Sequence, residues 1–320
     1  MTLLNLCPNP RYIVWDLTYA CPLRCSHCYA EAGRRAAMEM RPEDMLRVID
    51  ALISLQPTGV MLSGGEPLLV KAIFDIAKRL TEGGVEVLLY TGGWVFEPEM
   101  VEPILNLFSR VSVSIDGATA EVHDRIRGRA GSFDRALNAL SLLDRGARER
   151  REKNERSPWI GVDYVVMQSN VHQLRDFCRD IAPRFPGLDF ISFGSVIPSG
   201  LATRVEFVEH EMLSEEQTSA LGAGELEREL QAMVPEWLEV TTTDNQRLQM
   251  RPDLLIDGIG MPALHVEPDG QVRAMCSYEG TVGNLLQESP ALLWQRALER
   301  LGDPFVLEAL TPVRTTKEWA

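Results

Sequence analysis

Residues 12–29 read YIVWDLTYACPLRCSHCY, a strand-length apolar run that leads directly into three cysteines within eight residues. Cys21, Cys25 and Cys28 offer three thiolates to one metal centre, and thiolates at such spacing select zinc or an iron–sulfur cluster. A structural zinc site normally has a fourth protein ligand, whereas a catalytic centre keeps a position open. His27 is the nearby candidate for a fourth ligand, but it is poorly placed directly beside Cys28. The spacing favours a cluster with an open position; a zinc site completed by a distant ligand is the alternative.

The CxxxCxxC spacing followed by Tyr29 resembles the signature of the radical S-adenosylmethionine (radical SAM) enzymes. In that family three cysteines hold a [4Fe–4S] cluster, and its fourth iron binds the amino and carboxylate groups of S-adenosylmethionine. The resemblance implies these two cofactors, a contact from Tyr29, and an external electron donor such as flavodoxin or ferredoxin. Reductive cleavage of S-adenosylmethionine would give a 5′-deoxyadenosyl radical that abstracts hydrogen from an unactivated C–H bond. The protein would orient the reactants and exclude water, because the difficult chemistry belongs to the cofactor.

Composition limits the class of protein. The 320 residues, 45% of them hydrophobic, suit one large domain or one domain with a small appendage. We find no apolar run long enough to cross a bilayer and no signal-peptide pattern, so we expect no membrane association. Six cysteines, three of them assigned to a metal, argue against disulfides and for a reducing, cytoplasmic location. The net charge of −14 disfavours nonspecific binding to nucleic acid.

Periodicity predicts strands that alternate with amphipathic helices, as in successive βαβ units with a parallel sheet. The predicted strands are 12–17, 59–62, 85–90, 111–115, 161–167 and 190–193, and the predicted helices are 42–55, 70–80, 97–107, 132–143 and 171–181. Six units are too few for a closed eight-stranded barrel. They fit an α/β fold with a partial, open (β/α)₆ barrel, which the family resemblance also implies. Active sites on such sheets lie at the carboxyl ends of the strands.

The second predicted strand ends in SGGEP, residues 63–67. Two glycines let the backbone approach a ligand closely, although a GG pair alone also suits an ordinary turn before a helix. GGEP at this place resembles the family's motif for the methionine amino group, and the resemblance assigns that role to Gly64, Gly65 and Glu66.

The fourth predicted strand reads VSVSID over residues 111–116. Its two-residue period puts Ser112, Ser114 and Asp116 on one face. That face could be an ordinary polar edge, but helices cover the outside of a barrel, so we expect it to point inward, toward a ribose. Ser114 and Asp116 match the ribose-contacting positions of the family.

Further matches lie beyond this strand. HDRIRG at 123–128, followed by GSF at 131–133, resembles a stretch common in the peptide-modifying branch. A guanidinium suits a carboxylate, so Arg127 is a candidate for pairing with the methionine carboxylate, or alternatively a structural helix cap. Asn170, Ser195 and Val196 match family positions near the nucleoside.

Past Gly200 the alternation of strands and helices stops. Residues 213–234 have the pattern of one or two amphipathic helices, and 265–273 read as a hairpin with a Pro-Asp-Gly turn. The hairpin, Cys276, a Gly-Asn pair and a helix over 290–301 resemble the start of the SPASM or twitch extension of radical SAM maturases. We therefore predict a core barrel (1–200), a connecting helical and irregular segment (201–259) and a truncated SPASM/twitch-like, α+β extension (260–320).

The remaining cysteines are scattered. Cys7, Cys178 and Cys276 cannot supply a second four-cysteine site, so we predict a single cluster. Cys178 has the pattern of a buried helical residue. Cys276 is either a packing residue or a hydrogen-atom donor, because some radical SAM epimerases return hydrogen from a cysteine thiol.

Three functions remain open. The first is a radical SAM enzyme acting on a small natural-product intermediate, a sugar or nucleoside, in a redox-neutral epimerisation. The second is a maturase of a ribosomal peptide, which we rank lower because the first strand begins almost at the N-terminus and leaves no room for a leader-binding domain. The third is a zinc-stabilised binding protein. Polar candidates for the substrate pocket are His265, Asp257 and Asp244.

Overall fold

A ten-stranded sheet organises the protein. The computed structural model describes residues 7–245, 254, 257, 260, 262–274, 280–313 and 316–320. The strands are β1 (Tyr12–Thr18), β2 (Gly59–Gly64), β3 (Glu86–Thr91), β4 (Arg110–Ser114), β5 (Trp159–Val166), β6 (Phe190–Ser195), β7 (Glu239–Thr243), β8 (Ala263–Val266), β9 (Gln271–Arg273) and β10 (Gly283–Asn284). Their order is β10-β9-β8-β1-β2-β3-β4-β5-β6-β7. From β8 through β1 to β7 all neighbours are parallel, and β9 and β10 add antiparallel pairs.

Helices connect the parallel strands. They are α1 (Pro42–Ser54), α2 (Ile73–Glu82), α3 (Val101–Leu107), α4 (Ala120–Arg127), α5 (Ser132–Glu152), α6 (Leu174–Asp176), α7 (Val205–Glu211), α8 (Glu215–Gly222), α9 (Glu225–Gln231), α10 (Pro290–Leu301), α11 (Pro304–Leu310) and α12 (Thr316–Trp319). α6 continues as a π-helical turn over Phe177–Ile181. No helix in the described part of the chain is long and apolar enough to span a bilayer.

The helices cover the sheet with apolar stripes. In α2, Ile73, Ile76, Ala77 and Leu80 are buried, which is the i, i+3, i+4, i+7 spacing of one helix face. α5 buries small and aliphatic residues at the same spacing, so that a 21-residue helix lies close to the sheet. Strands enclosed in this way read as nearly continuous apolar runs, which made six of them recognisable in the sequence.

The predicted fold class is confirmed: the structure is an α/β fold with an open, mainly parallel sheet. All six predicted strands and the predicted hairpin are present. β7, inside the segment expected to be helical or irregular, was not predicted. β8 was predicted only as half of the hairpin, and not as a parallel neighbour of β1. Each has only four or five residues, too few to show a period. The division at 200 and 260 and the SPASM/twitch resemblance stay predictions.

Candidate active site

A cavity of ≈ 400 Å³ opens at the carboxyl ends of the parallel strands. Its walls come from the loop after β1, from the ends of β2, β3, β4 and β7, and from inward-facing residues of β5 and β6. The predicted site residues that line it are Cys21, Cys25, Cys28, Tyr29, Gly64, Gly65, Glu66, Ser114, Arg127, Ser195 and Val196. Asp116 and Asn170 do not line it, and Cys276 lies outside the described residues.

The cysteine loop has no regular secondary structure, and backbone hydrogen bonds from several elements fix it. Arg24 N and Ser26 N donate to carbonyls at the end of α4, both at 2.9 Å. Glu66 N donates to Ala20 O at 2.9 Å, and Leu201 N donates to Cys28 O at 3.1 Å. The ends of β2 and α4 and the segment after β6 therefore fix the loop that carries the three cysteines.

Each cysteine sulfur accepts at least one hydrogen bond. The backbone N–H of Leu23 lies 3.4 Å from Cys21 Sγ, and that of Ala32 lies 3.3 Å from Cys28 Sγ. Arg127 Nη1 lies 3.8 Å from Cys25 Sγ. Donors to the sulfurs are the outer-shell contacts that iron–sulfur clusters use, so the donor set fits a three-cysteine cluster.

Burial in this loop disfavours bare thiolates. It raises the pKa of Cys21 to about 12 and that of Cys28 to about 11. A bound metal centre would stabilise the thiolates, because metal binding requires deprotonated ligands. In the described part of the chain, no three His, Cys, Asp or Glu side chains converge on one ion. A [4Fe–4S] cluster does not need such convergence, since each cysteine binds a different iron.

The Glu66 carboxyl is almost completely buried at the cavity wall, 1% exposed. It accepts hydrogen bonds from Thr91 Oγ1 (2.8 Å), Gly92 N (3.0 Å) and Leu68 N (3.2 Å). Burial raises the pKa of Glu66, and the three donors oppose that rise. The contacts fix the orientation of the carboxyl and leave acceptor capacity for a ligand ammonium.

The two glycines of GGEP allow the backbone at the end of β2 to lie close to the cysteine loop. A Cβ at Gly65 would lie 2.1 Å from the Ala20 carbonyl oxygen, so only glycine permits this approach of β2 to the cysteine loop. Gly64 has φ +105°, which residues with side chains rarely adopt.

Asp116 is buried and does not line the cavity. Its Oδ2 lies 2.7 Å from Arg127 Nε, and its Oδ1 accepts from Val165 N at 2.9 Å. Its own N–H donates to His123 Nδ1 at 3.1 Å. The expectation that Ser112, Ser114 and Asp116 form one inward-facing row fails at Asp116, because β4 ends at Ser114 and the strand alternation ends with it. The predicted ribose role of Asp116 stays a prediction.

Two histidines, His27 and His123, flank the ion pair between Asp116 and Arg127. His27 Nε2 lies 3.7 Å from Asp116 Oδ2. Burial lowers the pKa of His27 and that of His123 to about 4, although the Asp116 carboxylate opposes the fall in both. The cation that faces Asp116 at neutral pH is therefore Arg127, which also lines the cavity. Its predicted pairing with a methionine carboxylate stays a prediction, as does the structural alternative.

Asn170 holds two loops together instead of facing the cavity. Its Oδ1 accepts from Met167 N at 2.8 Å, and its Nδ2 donates to Asp116 O and Val165 O at 3.1 and 2.8 Å. Both N–H donors of its amide are used in these bonds, and its predicted nucleoside contact stays a prediction. Ser195 lines the cavity, but its hydroxyl lies 3.2 Å from Thr316 Oγ1 of α12.

A chain of buried polar groups lies behind the cavity wall. The Tyr29 hydroxyl lies 2.7 Å from Asp16 Oδ1 and 2.9 Å from Ser63 Oγ. Asp16 Oδ2 lies 2.8 Å from His265 Nε2. His265 was expected among pocket residues, but it lies behind Tyr29, and neither Asp244 nor Asp257 lines the cavity. The sequence did not indicate Asp16, whose partners are remote in the chain.

Three cavity residues inside strands were not predicted from the sequence. Tyr90, Asp163 and Ser192 line the cavity from β3, β5 and β6. The signal for Asp163 was present: β5 reads WIGVDYVV, an apolar strand with one acid in its middle. A charged residue inside a strand buried on both faces usually has a specific reason.

The comparisons with known proteins agree with this geometry. Residues 15–148 match the family model of the radical SAM superfamily. Over 136 residues the chain is 41% identical to AdoMet-dependent heme synthase of Methanosarcina barkeri, covering 42% of this chain and 39% of that protein. Over 178 residues it is 34% identical to mycofactocin maturase MftC of Mycolicibacterium smegmatis, covering 55% of this chain and 42% of that protein. The chain spans less than half the length of these curated relatives.

Solved structures share the fold. Streptococcus suis SuiB bound to S-adenosylmethionine superposes with a TM-score of 0.65 at 15% identity, covering 94% of this chain and 67% of that one. anSMEcpe with bound AdoMet gives a TM-score of 0.56 at 14% identity, covering 90% and 82%. Residues 15–148, which carry the cysteine loop of this cavity, therefore match the radical SAM superfamily.

Proposed function

We propose that the protein is a radical SAM enzyme in which Cys21, Cys25 and Cys28 hold one [4Fe–4S] cluster. The observation that carries the proposal is that these thiols and the fixed Glu66 carboxyl open on the same cavity. When bound, the cluster supplies the electron that splits S-adenosylmethionine and releases a 5′-deoxyadenosyl radical. Flavodoxin or ferredoxin would deliver that electron, and the cysteine usage favours a reducing, cytoplasmic location.

In this proposal, different cavity residues bind different groups of S-adenosylmethionine. Glu66 accepts hydrogen bonds from its amino group, and Arg127 holds its carboxylate while paired with Asp116. Ser114, at the end of β4, contacts the ribose. Ser195 and Val196 border the nucleoside, together with the Tyr29 ring. The cavity excludes water from the reacting carbon.

We propose a maturase as the type of enzyme. One relative is named a maturase, and the fold neighbour SuiB is also known bound to its precursor peptide SuiA. The HDRIRG stretch resembles the peptide-modifying branch as well. The relatives give no support to sugar or nucleoside epimerisation, and a hydrogen-donor role for Cys276 stays a hypothesis. A heme-synthase-like reaction is the second candidate, because identity to that relative reaches 41% over the matched region.

The test is anaerobic reconstitution followed by reduction. We expect about four irons and four sulfides per chain, and 5′-deoxyadenosine after adding dithionite and S-adenosylmethionine. Cys25→Ala should lose both the cluster and the product. Cys7→Ala is the matched control and should keep both, since Cys7 lies outside the cavity. Bound zinc in place of iron, or intact S-adenosylmethionine under dithionite, would refute the proposal.

A further inference from the structure

A row of polar side chains crosses the cavity wall on three strands. In the sheet register Ser114 pairs with Asp163, and Asp163 pairs with Ser192. Directly paired residues point to the same face of a sheet and are close neighbours. All three residues line the cavity and are half-buried. Asp163 therefore lies between two hydroxyls, facing the space that a substrate would enter.

Asp163 has an unused acceptor in this wall. Its Oδ2 is buried and has no well-aligned hydrogen-bond partner among the described residues, although the nearby Ser112 hydroxyl favours the ionised carboxyl. The Arg110 guanidinium favours the ionised carboxyl, but it stacks on the Phe190 ring, with Cζ 3.6 Å from the ring centroid, and forms no ion pair with Asp163. Burial raises the pKa of Asp163.

An unpartnered buried carboxyl is costly, and buried acceptors in native proteins are nearly always satisfied. The other two buried acids of this site, Glu66 and Asp116, both have protein partners for their carboxyl oxygens. Glu66 accepts three protein hydrogen bonds, and Asp116 is paired with Arg127 and a backbone N–H. Asp163 Oδ2 lacks a well-aligned hydrogen bond from the described residues, so a donor on a ligand would complete its contacts.

We propose that Asp163, with the hydroxyls of Ser114 and Ser192, binds a primary ammonium group of the substrate, such as a lysine side chain or a peptide N-terminus. An ammonium carries three donors, which match one carboxyl and two hydroxyls. Since Ser114 is also the proposed ribose contact, a nitrogen bound here would hold the neighbouring substrate carbons next to the 5′ carbon. The inference rests on the proposed function and deepens it.

The same wall disfavours substrates rich in carboxylates. A carboxylate placed against Asp163 would meet a like charge in a poorly solvated cavity. This favours the peptide-maturase proposal over a heme-synthase-like one, because porphyrin substrates carry acidic side chains.

The test compares two small probes on the reconstituted protein with S-adenosylmethionine present. Nα-acetyl-lysine amide carries the ammonium, and its Nε-acetylated form is the neutral control. We expect the wild type to bind the ammonium probe about tenfold more tightly, the effect of one charge-assisted hydrogen bond. Asp163→Asn should lose the preference and keep its affinity for S-adenosylmethionine. Asp75→Asn, on the exposed face of α2, should behave as the wild type.

Equal affinity for the two probes, or no binding of either, would overturn the proposal, and the wild type alone decides this even if the variant does not fold. A large loss of S-adenosylmethionine affinity in Asp163→Asn would also overturn it, because the carboxyl would then serve the cofactor. Failure of the proposed function is distinct: the wild type would form no 5′-deoxyadenosine with or without either probe.

Discussion

Glu66 depends on a neighbour that the sequence did not connect with it. The GGEP motif identified the carboxyl, but the hydroxyl that orients it belongs to Thr91 on the next strand, 2.8 Å away. Cross-strand partners depend on register, and register cannot be read from two separate apolar runs. Motif residues were therefore predictable, whereas their supporting contacts were not.

Replacing Thr91 by valine keeps its shape and removes this donor. We expect the affinity for S-adenosylmethionine to fall about tenfold, because Glu66 loses a hydrogen bond that orients its charge. Equilibrium binding of S-adenosylmethionine to the reconstituted protein measures the effect. Thr91→Ser retains the hydroxyl and should remain close to the wild type. Equal affinity of the valine and serine variants would show that the other two donors to Glu66 suffice.

At the scale of elements, the cysteine loop depends on the segment after β6. Gly200 has φ +55°, and a Cβ there would lie 2.3 Å from the Tyr29 carbonyl oxygen and 2.6 Å from that of Cys28. The next residue, Leu201, donates its N–H to the Cys28 carbonyl. The segment therefore packs its backbone directly on the last cysteine. Nothing in the sequence around Gly200 indicated this contact, because it joins segments about 170 residues apart.

Gly200→Ala should displace the cysteine loop and lower the iron content after reconstitution. Gly84→Ala provides a matched control: its φ is +81°, but its Cβ would meet nothing within 4 Å. Both variants incur the cost of a left-handed backbone, about 1–2 kcal/mol. Only the Gly200 variant adds a clash beside Cys28. Iron and sulfide analysis should therefore separate the two, and equal cluster content in both would contradict the importance of this contact.

At the scale of the whole molecule, β8 joins the C-terminal segment to the first strand. It pairs with β1 from Tyr12↔Ala263 to Trp15↔Val266, so β1 has parallel neighbours on both sides. Six strands were predictable because each is an apolar run, and five of them are followed by a predicted amphipathic helix. β8 was recognisable as half of a hairpin, but its pairing with β1 spans some 250 residues and left no local pattern. The extension and the barrel share one sheet.

Removing the buried contact between His265 Nε2 and Asp16 Oδ2 tests whether β8 stabilises β1. His265→Leu leaves Asp16 without one of its partners in the core, which should lower the free energy of unfolding by about 1–3 kcal/mol. Because β8 and β1 are hydrogen-bonded neighbours, we expect one unfolding transition shifted as a whole. Urea unfolding followed by far-UV circular dichroism and by tryptophan fluorescence measures it, since Trp15 lies in β1 and Trp294 in α10.

Glu299→Gln, on the exposed face of α10, changes a charge in the same segment without touching the sheet and should leave the transition unchanged. The alternative is an extension that unfolds by itself. In that case His265→Leu would split the curve, with an early step for the C-terminal segment and an unshifted step for the barrel. A single shifted transition would instead mean that β1, which leads into the cysteine loop, is stabilised from both sides. The stability of the cluster site would then depend on the last sixty residues as well as on the barrel.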